Sequence, residues 1–119
     1  MKKNTEATIQ KRIVEYLSEQ RIFCHSVPNE GAGKDKLRTM RMITMGLRPG
    51  IADLVVWLPW GEIGYLEVKT NTGKLSENQK KFQKRCEKHG VFYVVVRSVE
   101  DVRDILEKQG EEEDEGEKA

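Results

Sequence analysis

Apolar positions along the chain change period several times, and each change marks an element. Over residues 5–20, Ile9, Ile13, Tyr16 and Leu17 fall on one stripe of a 3.6-residue repeat. This predicts a helix, with Asn4 or Thr5 able to cap its start. Residues 21–27, RIFCHSV, predict a strand, and the glycine-bearing segment 28–33 predicts a loop. Helical spacing returns over 34–47, which ends near Gly46 and holds three of the four methionines, at 40, 42 and 45. Two short apolar runs follow, Ala52–Leu58 and Tyr65–Thr70, joined by Trp60-Gly61-Glu62-Ile63-Gly64. Turn chemistry between two such runs predicts a β-hairpin. Ser76-x-x-Gln79 is a capping box that opens a helix ending near Gly90, with Phe82 and Cys86 turned to the core. The unbroken apolar run 91–97, VFYVVVR, predicts a central strand buried on both faces. A last helix is predicted over 99–108, capped by Ser98 and striped by Val99, Val102, Ile105 and Leu106.

The order αβαββαβα predicts a three-layer α/β domain with a central mixed β-sheet flanked by helices. A meander of strands would be followed by a crossover helix that returns a parallel strand. One domain is expected over 1–110, and a disordered tail over 111–119.

Charge sharpens this picture. The net charge of +1 hides an asymmetry: residues 111–119 hold six acids and one lysine, which leaves 20 basic and 14 acidic residues in 1–110. The body is therefore basic and suits a polyanionic partner. No apolar run approaches the ~20 residues that span a bilayer. The opening MKKNTEAT has no apolar core of a signal peptide. Cys24 and Cys86 have no metal-type spacing and are expected to be reduced thiols. The expected location is the cytoplasm, or the host cytoplasm for a viral protein.

The hairpin also gathers candidate chemistry. Asp53 stands among residues that favour burial, and Glu67 and Lys69 lie two apart on the second run. Side chains at i and i+2 share a face, roughly 7 Å apart at ~3.3 Å per residue. Two carboxylates offer oxygen ligands to a hard cation such as Mg²⁺. A lysine beside them can orient water or stabilise developing negative charge. The set suits metal-assisted hydrolysis of a phosphodiester. The plainer reading of an E-x-K triplet is a solvated or paired surface strand. A buried aspartate beside it argues against that, because buried charge is costly unless paired or bound to metal. Other candidates have structural readings too. Glu6 lies on the first helix's apolar stripe, where the helix dipole alone would favour a carboxylate. His25 is more often structural than a general base. Lys34, Lys36, Arg38, Arg41 and Arg48 make the Met-rich segment basic, either as the solvated charged face of a core-facing helix or as a phosphate-contacting or dimer-forming element. Lys74, Lys80, Lys81, Lys84, Arg85 and Lys88 make the region after the hairpin a candidate DNA-facing surface.

Asp53 followed by Glu67-Val68-Lys69 resembles the PD-(D/E)xK nuclease superfamily. With Gly50-Ile51-Ala52-Asp53-Leu54, Leu66-Glu67-Val68-Lys69-Thr70, Gly73-Lys74-Leu75-Ser76 and Gln79, the chain more narrowly resembles the VRR-NUC (virus-type replication-repair nuclease) family, from Glu6 to about Leu106. One position departs: Ala52 stands where the family has proline, a residue that shapes backbone and is not a ligand. The resemblance implies an endonuclease dependent on Mg²⁺ or Mn²⁺. Asp53 and Glu67 would bind metal, with the Val68 carbonyl a further oxygen ligand, and Lys69 would position the attacking water. It also implies that Glu6 faces the site, able to bind a second metal or a metal-bound water, and that Gln79 lies beside it. Small stand-alone members look similar to Holliday-junction resolvases, which implies a homodimer acting on branched DNA in replication, repair or recombination. The alternative is a nucleic-acid-binding or partner-binding module that kept the fold and lost cleavage. Retention of Asp53, Glu67 and Lys69 argues against it.

Overall fold

The computed structural model describes residues 5–28 and 34–118. The elements run α1 (Glu6–Glu19), β1 (Cys24–Ser26), α2 (Lys36–Thr44), β2 (Leu54–Trp57), β3 (Ile63–Val68), α3 (Glu77–His89), β4 (Phe92–Val96) and α4 (Val99–Lys118). The strands form one sheet in the order β1-β2-β3-β4. β1, β2 and β3 pair antiparallel, and β4 pairs parallel with β3 after the α3 crossover. This is the expected mixed sheet in a three-layer α/β domain.

Pleating assigns the two faces. Leu54, Val56, Leu66, Val68 and Val96 point to one side, where Ile9, Ile13 and Leu17 of α1 and Val102 of α4 close the core. All of these are almost fully buried. The side of Tyr65, Glu67 and Tyr93 takes α3. There Phe82 is wedged edge-on between Tyr65 and Tyr93, with ring centroids at 5.0 and 5.8 Å. Such aromatic edges add roughly 0.5–1.5 kcal/mol each beyond area burial. Gly64 is required where β3 meets β4, since a Cβ there would lie 2.5 Å from the Phe92 ring.

Local chemistry explains the helix ends. Thr5 caps α1 through the Thr8 amide, and Ser76 and Gln79 form the reciprocal capping box of α3. Gly90 ends α3 in the left-handed region at φ +67°.

Four expectations need correction. β4 is an edge strand, not a central one. Its unbroken apolar run reflects helices on both of its faces, α3 on one and α4 on the other. Asp53 lies just before β2, at a bend where the ladder begins. α2 is not core-facing: it buries no residue and packs on no other described helix or strand. α4 runs on to Lys118, past its expected end at 108. Glu, Lys and Gln are good helix formers, and they outweigh the cost of about 1 kcal/mol that each of Gly110 and Gly116 imposes. The predicted loop at 29–33 falls outside the described residues, and so does Asn4 as a cap.

Candidate active site

The site forms where β2 begins and β3 ends, on the α3 side of the sheet. Leu54 is paired with Leu66, so one step further along the antiparallel register sets Asp53 opposite Glu67. Asp53 Oδ2 accepts a hydrogen bond of 2.8 Å from the Val68 amide. A side chain thus takes the place of a main-chain ladder partner, which fixes the Asp53 carboxylate beside β3.

Glu67 is the most buried charged side chain described, at 1% exposure. Gln79 Nε2 donates to its Oε1 at 2.7 Å, while Gln79 Oε1 accepts from the Ser76 amide. The capping box therefore also aims the carboxamide into the site. Lys69 is 8% exposed, and its Nζ lies 3.7 Å from both Glu67 Oε1 and Glu6 Oε1. The ladder continues past β3 through a 3.0 Å bond from the Lys69 amide to the Val96 carbonyl. Glu6, on the first turn of α1, is half exposed and meets the site through Lys69. Asp53, Glu67, Lys69, Glu6 and Gln79 thus converge from three helix and strand layers.

Burial, with the neighbouring Asp53 carboxylate second, pushes the Glu67 carboxyl up to about 8, against the opposing pull of Lys69. Two carboxylates this close do not both ionise easily. A cation between them would reverse that logic. Glu67 Oε2 is buried without a hydrogen-bond partner, which leaves one oxygen free to ligate. The described residues hold no cluster of three or more His, Cys, Asp or Glu side chains. Two carboxylates fit Mg²⁺, which keeps several waters and takes its other ligands from substrate phosphate.

Three supports were not legible as such in the sequence pattern. Gly50, at φ +88°, lets the loop before Asp53 touch α3: a Cβ there would lie 2.4 Å from the Asn78 carbonyl group. Arg97 Nη1 donates to the carbonyls of Thr70 (2.5 Å) and Gly73 (2.8 Å), pinning the loop that follows Lys69. Its own amide is held by Asp101, whose amide is bonded to Ser98 Oγ. The Ser98-x-x-Asp101 spacing was the available signal for that end of α4. Tyr93 has a buried hydroxyl without a partner, and burial, then the Glu67 carboxylate, push its ionisation well above the ordinary phenol range.

The basic candidates are spread over two surfaces. Lys34, Lys36, Arg38 and Arg41 are exposed on and before α2. Lys74 is exposed in the loop before α3, and Lys80 and Lys81 are exposed near its start, with Lys80 held 3.4 Å from Glu77. Arg48 Nη1 donates to the Ile43 and Leu47 carbonyls and so closes the C-terminal end of α2. His25 sits on the edge strand, with Nδ1 3.1 Å from the Ser26 carbonyl and its ring beside Phe23.

The model of the VRR-NUC domain matches residues 4–100. The chain belongs to the VRR-NUC family. A solved structure described as a VRR_NUC domain is 26% identical, covers 87% of this chain and 97% of its own, and superposes with a TM-score of 0.64. A second VRR-NUC structure, a VRR_NUC domain protein, is 18% identical over 91% of this chain and 89% of its own, with a TM-score of 0.71, and shows the shared fold. No curated protein matches the sequence. VRR-NUC is a nuclease-type family, and the Asp53, Glu67 and Lys69 constellation lies inside the matched region.

Proposed function

We infer that the protein is a metal-dependent DNA endonuclease that hydrolyses phosphodiester bonds, with Mg²⁺ or Mn²⁺ as cofactor. The observation that carries this reading is the buried Glu67 carboxylate, which keeps one oxygen unpartnered while Asp53 and Lys69 flank it. Asp53 and Glu67 hold the cation, and the Val68 carbonyl offers a further oxygen. A bound divalent cation supplies polarisation of the phosphoryl oxygen and a water of lowered pKa.

The chain's own groups do the rest. Gln79 fixes the Glu67 rotamer, so the carboxylate need not reorganise. Lys69 orients the attacking water and stabilises charge that develops on the phosphate. Glu6 is a second carboxylate at 3.7 Å from the Lys69 ammonium, beside Glu67. Lys34, Lys36, Arg38, Arg41, Arg48, Lys74, Lys80 and Lys81 provide cations for the DNA backbone, a contribution that weakens as salt rises.

The substrate on this reading is branched or otherwise structured DNA, as for a Holliday-junction resolvase, and the active form is a homodimer. Support comes from α2, which exposes Leu37 and Met40 at 72 and 62%, with its C-cap Met45 exposed at 88%, and packs on no other described helix or strand. An isolated helix of nine residues is marginal in water. A second copy would cover it. The test is cleavage of a panel comprising linear duplex, flap, splayed arm and four-way junction, with and without Mg²⁺. Metal-dependent cutting of the branched members is expected. Binding without cutting, even with Mg²⁺, would favour a module that kept the fold and lost the chemistry.

A further inference from the structure

Beside the catalytic constellation lies a second concave site, of about 230 Å³, lined by Arg48, Pro49, Asn78, Lys81, Phe82 and Arg85. The two sites share a wall. Gly50 packs on the backbone of Asn78 and Gln79, and the Gln79 side chain reaches Glu67 on the other side. Whatever occupies this pocket is therefore a close neighbour of whatever reacts at Asp53 and Glu67.

The lining has a specific composition. Asn78, Lys81, Phe82 and Arg85 lie at helical spacings on α3, so they present one face. Among the described residues, no carboxylate pairs with Arg48, Lys81 or Arg85. Arg48 is held in place by two carbonyls, which orient a guanidinium without neutralising it. Phe82 is fixed by its contacts with Tyr65 and Tyr93. The pocket thus combines three uncompensated cations, a rigid aromatic edge and a carboxamide that can both donate and accept. Its volume exceeds what a lone phosphate needs, judged against the ~30 Å³ share of a water. It falls short of the ~300–1,000 Å³ of ordinary small-molecule sites.

We propose that this pocket is a subsite for one unpaired nucleotide of the DNA strand beside the scissile phosphate. The proposal rests on the reading of the chain as a nuclease acting on DNA. Arg48, Lys81 and Arg85 take the backbone phosphate. The base leaves the stack and lies against Phe82, with Asn78 hydrogen-bonding its edge. Contact between a base and an aromatic ring tolerates any sequence, since every base has an apolar face. A base held in a continuous stack cannot enter such a pocket. The subsite therefore selects DNA that is already unpaired or easily opened next to the cut, where the energy of unpairing is smallest.

The test is fluorescence anisotropy in EDTA, where no cleavage intervenes. Three labelled duplexes are used: fully paired, bearing one unpaired nucleotide, and bearing an abasic residue at that same position. Wild-type protein should bind the unpaired nucleotide at least tenfold more tightly than the paired duplex, and the abasic one at an intermediate level. Lys81→Ala/Arg85→Ala should abolish that preference. Lys84→Ala/Lys88→Ala removes the same charge from the same helix outside the pocket; it should weaken binding of all three duplexes by a similar factor and so keep the preference. All four residues are exposed, so the fold is not at stake. Absence of a preference in wild type, or its loss to equal degrees in both double variants, would overturn the proposal. Because the readout needs no turnover, a failed nuclease reading would show in the cleavage panel, and a failed subsite would show here.

Discussion

Glu67 holds the most informative ionisation in the molecule. With its folded-state pKa raised from the ordinary carboxylate range to about 8, the folded protein binds this proton more tightly than the unfolded chain does. Its contribution to stability is therefore fully present below the unfolded pKa and is lost as pH rises through about 8. In metal-free buffer, thermal midpoints of the wild type should fall between pH 5 and pH 8. Glu67→Gln keeps an acceptor for Gln79 and removes the titration. It should raise the midpoint at pH 8 by several degrees and change little at pH 5. Differential scanning fluorimetry at the two values, with EDTA, checks the sign. Divalent metal should erase the wild type's deficit at pH 8, since the ionised carboxylate is then paired. At this scale the sequence was most readable. Asp53, Glu67 and Lys69 are identifiable because charge among apolar neighbours needs a reason. Tyr93 was not, because a tyrosine inside an apolar run gives no sign of where its hydroxyl ends.

Elements carry the site through their junctions, and one glycine governs the most important of these. Gly50 at φ +88° lies against the first turn of α3, leaving no room for a Cβ between it and the Asn78 carbonyl. Gly50→Ala would add left-handed strain to that collision and push α3 from the loop before Asp53. A destabilisation of roughly 2 kcal/mol or more is expected. Cleavage should fall further than the loss of folded protein accounts for, because Gln79 moves with α3. Comparing the melting midpoint with activity per folded molecule separates the two effects. Periodicity and capping residues revealed the helices, since Thr5, Ser76 and Gly90 act through local chemistry alone. Strand order was less legible. The run at 92–96 reads the same whether helices or strands cover its faces, so β4 was expected at the centre and lies at the edge. Arg97 was invisible for a similar reason: its partners, Thr70 and Gly73, are carbonyls more than twenty residues away.

The whole molecule presents a basic body and an acidic end. α2 and its C-cap leave Leu37, Met40 and Met45 in solvent, an arrangement that a second copy relieves on the homodimer reading. Leu37→Asp/Met40→Asp should convert a dimer to a monomer in light scattering while leaving the melting midpoint within about 2 °C, because neither side chain enters the core. A wild-type monomer at working concentration that still cuts junctions would remove the dimer from the account. Residues 111–119 carry six acids against one lysine on a body of net +6. A polyanion tethered to a basic surface competes with DNA phosphate for it, at an effective concentration that can reach mM. Deleting them should tighten DNA binding most at low salt, where the Debye length is ~30 Å at 0.01 M against ~10 Å at 0.1 M. Equal affinities of full-length and truncated protein at low salt would leave the acidic end without influence on DNA.

The central claim is that Asp53, Glu67 and Lys69 form a metal-dependent hydrolytic site. Its most direct test is a single time course of DNA cleavage by wild-type protein and Lys69→Ala, each in Mg²⁺, Mn²⁺ and excess EDTA. The variant's fold is confirmed beforehand by circular dichroism. Product is expected only with metal, and from the variant at least about a hundredfold more slowly than from wild type, the scale of losing one group that stabilises developing charge. Cleavage by wild type in EDTA, or an equal rate from folded Lys69→Ala, would contradict it.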